Sequence, residues 1–382
     1  MRLPLCTAAH TALLIDVDKG VRPCCTYLGE HIPGKPSVGN LQTEPLPEIL
    51  QGEAWQGVRS QLEDGQVPPG CVKCLEREAQ TGHGERVKME RLRSPNWRRG
   101  ITYLELNTSN VCNLKCRHCS PLYSSRWSKH EERHGRDAHP VVLADQDLLL
   151  ETLRSVDLTW LDRLVFKGGE PMLNSDCLAA MRHLDEIGVL PRVTIQTVSN
   201  GSVVNDEFLE LAARARSCRV CFSIDGVGEV QRYIRDGSSD IERVEETIAR
   251  CAEIDNIVLL RNTSVMVYNI YSLEQVDAWW DGLASRFGGN YLEHRHNWFV
   301  LWPNWLELTC LTDATRHRLR DAYDALGQPR YQQVVAMLDK PFAGAARHNQ
   351  FVRRTEKMDR EFGRRWQDAV PELADEMVLL PE

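Results

Sequence analysis

Residues 103–121 read YLELNTSNVCNLKCRHCSP. An apolar run of strand length ends at Leu106. Three cysteines follow on one short loop, Cys112, Cys116 and Cys119, spaced C-x3-C-x2-C. Three thiolates on one loop can hold a [4Fe–4S] cluster by three of its irons and leave the fourth open to another ligand. A loop leaving the C-terminal end of a parallel strand is also where α/β architectures place their chemistry. Taken alone, the spacing leaves two other readings open: a zinc knuckle with His118 as fourth ligand, or incidental cysteines.

Working outward from that loop, strand-length apolar runs alternate with helical ones. ITYLEL (101–106), LDRLVFKGG (161–169), PRVTIQTVSNG (191–201), RVCFSIDG (219–226), NIVLLRNTSVMV (256–267) and YLEHRHNWFVLW (291–302) read as strands. NSDCLAAMRHLDEIG (174–188), NDEFLELAARAR (205–216), IERVEETIARCAEI (241–254) and SLEQVDAWWDGLA (272–284) have a helical period between them. Repeated βα units imply right-handed crossovers and a parallel sheet, doubly wound or curled into a barrel. The predicted organisation is a small cysteine-rich unit over 1–83, a basic linker over 84–100, the alternating domain over 101–311 and a helical C-terminal extension over 312–382. The last stretch, VPELADEMVLLPE (370–382), reads as surface tail.

Composition narrows the setting. Across 382 residues, 46 Lys+Arg stand against 54 Asp+Glu, a formal charge of −8. That balance gives no footprint for a nucleic-acid or anionic-membrane partner. No apolar run reaches the roughly 18 residues of a membrane span. The N-terminal patch Thr11–Ile15 is broken by Asp16 and Asp18 and makes no convincing signal peptide. Thirteen cysteines are an odd number and too sparse for a disulfide scaffold, so a reducing, cytoplasmic setting with metal or cluster ligation is expected.

The chain here resembles the radical SAM superfamily, whose signature is a C-x3-C-x2-C loop after the first barrel strand. Three further segments fall in the family's order: KGGEP (167–171), TVSNG (197–201), and CFSIDG (221–226) with QRYIRDG (231–237) shortly after. His118 stands where the family usually has an aromatic residue. The resemblance implies an α/β fold built on a partial (β/α)6 barrel, with a [4Fe–4S] cluster on Cys112, Cys116 and Cys119. S-adenosylmethionine would bind the open iron through its amino and carboxylate groups. Gly168 and Gly169 would permit close backbone approach, and Glu170 would accept from the methionine ammonium. Ser199 and Asn200 would lie at the ribose, with Ser223, Asp225 and Arg235 completing the cofactor site.

Cys6, the pair Cys24 and Cys25, and Cys71 with Cys74 resemble the twitch half of SPASM/twitch domains, which carry an auxiliary [4Fe–4S] cluster. That unit usually follows the barrel; its place ahead of the barrel resembles N-terminal-twitch radical SAM proteins. The family's DGxVxPCC stands here as DKGVRPCC (18–25), with the glycine shifted by one. The expected ligands are Cys6, Cys24, Cys71 and Cys74, with Cys24 preferred over Cys25. An all-thiolate zinc site suits the same four residues.

The resemblance further implies an enzyme that cleaves S-adenosylmethionine with one electron from a flavodoxin- or ferredoxin-type partner. The resulting 5′-deoxyadenosyl radical would abstract hydrogen from substrate. A ribosomally made peptide is the leading substrate class, although no leader-binding unit is seen ahead of the cysteines. The alternatives are a small molecule such as a sugar or nucleoside, and a non-enzymatic iron–sulfur electron carrier. Cys310 is the free thiol singled out as a candidate hydrogen-atom donor. Cys177, Cys218, Cys221 and Cys251 read as small buried hydrophobes. Trp298, Trp302 and Trp305, beside His294 and His296, read as packing or as an aromatic substrate wall.

Overall fold

The computed structural model describes residues 4–27, 37–82, 84–236, 239–287 and 291–381, without the side chains of 80, 81 and 291–298. Nine strands form one sheet: β1 (Ala12–Ile15), β2 (Gly20–Arg22), β3 (Gly39–Asn40), β4 (Tyr103–Leu106), β5 (Arg163–Phe166), β6 (Thr194–Ser199), β7 (Ser217–Ser223), β8 (Ile257–Val265) and β9 (Tyr291–Phe299). Their order is β3-β2-β1-β4-β5-β6-β7-β8-β9. From β4 to β9 every pairing is parallel, which is the six-stranded barrel sheet expected from the alternation. Crossover helices Gln146–Arg154, Ser175–Glu186, Asp206–Arg214, Ile241–Ala252 and Leu273–Phe287 run between successive strands.

Residues two apart on a strand share a face, and that rule divides this sheet by chemistry. Leu104, Leu106, Leu164, Phe166, Ile195, Val220 and Leu259 enter the core shared with the helices. The alternate positions Glu105, Val198, Ser223 and Ser264, and Lys167 just past β5, line a cavity on the other face. The site therefore lies on the face of the sheet turned away from those helices, toward the C-terminal ends of the strands.

The N-terminal unit does not stand apart as the sequence suggested. β1 pairs in parallel with β4, Ala12 opposite Tyr103 and Ile15 opposite Leu106. β2 and β3 continue the sheet as an antiparallel edge. Leu13, Ile15, Val21, Leu46, Ile49 and Trp55 share one core with the barrel helices. A four-residue strand carries too little pattern to reveal a partner ninety residues downstream. The stretch 84–100 contains the helix Glu85–Arg91, with Met89 buried and Lys88 over the Tyr103 ring. Arg86 pairs with Glu78, and Arg99 lies over Trp160, so this basic stretch packs against the body rather than spanning two units.

The C-terminal extension is helical as expected, over Asp313–Ala325, Gln332–Leu338 and Ala345–Phe362. The surface-tail reading of 370–382 is corrected. Leu373 and Glu376 are buried, and the Glu376 carboxylate accepts from the Thr312 amide at 2.8 Å and the Thr312 hydroxyl at 2.6 Å. Asn349 exchanges two hydrogen bonds with the Leu380 backbone. These partners are tertiary, and a segment without period gives no sign of them. Among the described residues, no helix is long and apolar enough to cross a membrane.

Candidate cluster and cofactor site

The cysteine loop is shaped by the strand beside it. The Gly169 amide donates to the Ser109 carbonyl at 3.0 Å and the Glu170 amide to the Val111 carbonyl at 2.8 Å. Backbone this close leaves no room for a side chain. A Cβ on Gly169 would meet the Val111 oxygen at 2.2 Å, and one on Gly168, at φ +106°, the Ser109 oxygen at 2.7 Å. The neighbour that this glycine pair admits is the backbone leading into the cysteine loop. Ser125 accepts from the Cys112 amide, Ser124 donates to the Leu114 carbonyl, and the Trp127 indole donates to the Cys116 carbonyl at 2.7 Å.

Around the three sulfurs stand the polar residues expected there. The Asn200 amide reaches Cys112 Sγ at 3.9 Å, and Arg235 Nη1 donates to Cys116 Sγ at 3.8 Å. Arg235 Nη2 also pairs with the fully buried Asp225 at 2.8 Å, and Asp225 accepts from the Ser264 amide. Glu170 accepts from the Met172 amide, the Ser199 hydroxyl and the Asn200 amide at 3.1, 2.8 and 2.8 Å. Burial nevertheless raises its carboxyl to about 7, because desolvation outweighs those three donors. Ser199 thus serves Glu170 and is not among the cavity-lining residues, whereas Glu170, Asn200, Ser223 and Arg235 are. Burial also lowers the His118 imidazole to about 4; it faces Asp225 at 3.8 Å.

These residues open onto a cavity of about 980 Å³, lined also by Arg22, Cys25, Glu105, Asn107, Lys167 and Trp302. On the opposite side of the N-terminal segment, Cys6, Cys24, Cys71 and Cys74 converge on a separate small cavity of about 30 Å³. Cys25 lies on the large cavity beside Glu105 and Lys167, so the two adjacent thiols face different cavities. Cys310 is not at the cavity. It is fully buried in the C-terminal core, its thiol donating to the Asn304 carbonyl at 3.3 Å, which corrects its candidacy as hydrogen donor. Trp305 is core; Trp302 is 77% exposed at the cavity rim. The side chains of His294, His296 and Trp298 lie outside the described residues.

The donor sets suit a cluster. Burial raises the thiols of Cys6, Cys71 and Cys112 to about 12 and that of Cys24 to about 11, so binding must release protons. A zinc ion held at about 2.3 Å by thiolates needs sulfurs about 3.8 Å apart. Among the described residues, the group of three ligand atoms within 4.8 Å of one another is His130, His134 and Glu361, and no three sulfurs of either set close so far. The buried Arg235 cation beside Cys116 fits an anionic assembly of thiolates. The sequence reading missed the Lys167–Glu105 pair, 2.9 Å apart, with the Tyr103 hydroxyl at 3.1 Å from the other carboxylate oxygen. The only available signal was their inward strand parity.

The sequence profile of the radical SAM superfamily matches residues 106–276, and that of an iron–sulfur cluster-binding domain matches residues 6–75. Curated relatives include GTP 3′,8-cyclase of Peptoclostridium acidaminophilum, 27% identical over 43% of this chain and 47% of that protein. The same enzyme of Syntrophomonas wolfei is 26% identical over 43% and 48%. The chain spans about half the length of the curated relatives it matches. Among solved structures, anSMEcpe with bound AdoMet and Cp18Cys peptide aligns over 58% of each chain, at 15% identity and a TM-score of 0.39. Streptococcus suis SuiB bound to precursor peptide SuiA aligns over 72% of this chain and 60% of its own, at 12% identity and 0.38. Both profiles fall on the two cysteine sites described above, so this chain carries a radical SAM domain with an iron–sulfur cluster-binding domain ahead of it.

Proposed function

We propose that this enzyme holds two [4Fe–4S] clusters, one with an open iron on Cys112, Cys116 and Cys119 and one on Cys6, Cys24, Cys71 and Cys74, and modifies a ribosomally made peptide. When bound, the loop cluster and S-adenosylmethionine supply a primary carbon radical that takes hydrogen from substrate. The protein's own task is positioning. Glu170 accepts the methionine ammonium, Asn200 and Ser223 hold the nucleoside end, and Arg235 balances thiolate charge while Asp225 fixes its guanidinium. The cavity walls keep competing hydrogens and bulk water away from the reacting carbon.

The observation favouring a peptide is the state of the cavity's cations. Arg22 pairs with Asp16, Lys167 with Glu105, Arg117 with Asp359, Arg136 with Glu131 and Glu361, and Arg235 with Asp225. Lys357 lies 3.8 Å from Glu361, which leaves Arg354 without a carboxylate among the described residues. A nucleoside triphosphate would call for several uncommitted Arg or Lys forks. A neutral, amide-rich chain asks for none. The second reading, a nucleoside or other small molecule, is favoured by the likeness to GTP 3′,8-cyclase over 43% of this chain.

The test is anaerobic reconstitution followed by 5′-deoxyadenosine measurement, with S-adenosylmethionine and a strong reductant. If a small precursor peptide is encoded beside the gene, that peptide should stimulate 5′-deoxyadenosine formation and change mass, while GTP should do neither. Stimulation by GTP with an inert peptide would select the second reading. A protein that binds iron and sulfide but never forms 5′-deoxyadenosine would leave only the electron-carrier reading.

A further inference from the structure

Two residues inside the cysteine loop are basic, Lys115 and Arg117, and both are held by one turn of the Ala345–Phe362 helix. The Lys115 ammonium lies 3.7 Å from the centre of the Phe362 ring and 3.2 Å from His130 Nδ1. His130 Nε2 in turn contacts Glu361 at 2.8 Å, and Arg136 forks onto both Glu361 oxygens. Those lone pairs are taken, so the His130–His134–Glu361 group is a brace and not a cation site.

Arg117 is the more telling of the two. Its side chain has no exposed surface, and Nη2 lies 2.8 Å from Asp359. Nε donates to the Tyr233 carbonyl at 2.8 Å, and the Arg117 amide donates to the Ile234 carbonyl at 2.8 Å. The guanidinium stacks 3.6 Å from the centre of the Tyr233 ring, and the Tyr233 hydroxyl returns to Asp359 at 2.8 Å. The residue after Ile234 is Arg235, whose guanidinium reaches Cys116 Sγ. Asp359, Arg117 and the end of the Glu229–Ile234 helix thus form a closed circuit that includes the cation beside the cluster sulfur. Among the described residues, Asp359 is the carboxylate paired with Arg117. A buried cation left without its partner is costly, and charge and hydrogen bonding at the sulfurs tune a cluster's potential.

We propose that Asp359 is a positioning residue for the loop cluster: through Arg117 and Tyr233 it fixes Cys116 against the Arg235 guanidinium and so sets the potential of that cluster alone. This rests on the two-cluster reading above. The experiment uses full-length protein reconstituted anaerobically, with iron counting and redox titration followed by electron paramagnetic resonance. Asp359→Asn removes one negative charge near the loop, so the loop cluster should move to a more positive potential while the N-terminal cluster keeps its own. Asp359→Glu should move it back toward wild type. If Asp359→Asn fails to load the loop cluster, Tyr233→Phe decides, since it deletes one hydrogen bond and no charge. A smaller potential change confined to the loop cluster supports the proposal. An unchanged loop potential in loaded Asp359→Asn, an unchanged potential in Tyr233→Phe where that variant decides, or equal shifts of both clusters would overturn it. Wild-type protein that never assembles two clusters would instead overturn the reading on which the proposal rests.

Discussion

Glu170 gives the site a pH dependence. The carboxyl is held near 7 by burial, yet it must be ionised to accept from an ammonium group. Below pH 7 the neutral acid predominates, so S-adenosylmethionine should bind the cluster-loaded protein more tightly as pH rises through about 7. Glu170→Gln should weaken binding roughly tenfold or more, given about 1.5–3 kcal/mol for a hydrogen bond to a charged group, and should flatten that pH profile; calorimetric titration reads both. The adjacent thiols give a second residue-level prediction. Iron counting should find Cys25→Ala fully loaded, with Cys24→Ala short by about half, because four of about eight irons depend on the N-terminal set. A Cys25→Ala protein that lost iron would reverse the assignment. The candidate ligands were legible because thiol spacing is a covalent property of the chain. Which way the Cys310 thiol points is not covalent, and LTCLTD could not reveal that it turns to the Asn304 carbonyl in the core.

The contact between the cysteine loop and the end of β5 makes one element out of two. A Cβ on Gly169 would lie 2.2 Å from the Val111 oxygen, and backbone cannot yield as a flexible side chain can. Gly169→Ala is therefore expected to lose the loop cluster, dropping iron content by about half while the N-terminal cluster stays. Replacing Cys112, Cys116 and Cys119 together by Ala should give the same iron count and abolish 5′-deoxyadenosine. Matching losses would show that the glycine acts through the loop; a fully loaded Gly169→Ala would show that the loop can retreat. The glycine pair was readable from the sequence, but its reason was not. GGE marks a close approach without saying to what. The brace from the Ala345–Phe362 helix was less legible still, since Asp359 lies in a charged run that reads as a solvated face.

At the scale of the molecule, the sheet is continuous from β3 to β9, and the C-terminal segment shares a second core with the ends of β8 and β9. Glu376→Ala should cost about 1–3 kcal/mol, the range for stranding buried hydrogen-bonding partners, here the Thr312 amide and hydroxyl. Urea unfolding should show that loss as a lower midpoint with an unchanged slope. An unchanged midpoint would mean that the tail is dispensable. The barrel was legible because its crossovers repeat. The junction with β1 was not, because pairing between strands so far apart in sequence leaves no local periodicity. That junction also gives the chain a timetable. All four sulfurs of the N-terminal site are synthesised before residue 75, but β1 meets its parallel partner only once Tyr103–Leu106 has been made. Asp359 follows Cys119 by 240 residues. Metal delivered during synthesis would therefore find the N-terminal sulfurs first, on a hairpin with one open edge, and would find the catalytic loop seated only after nearly all of this sequence had been translated.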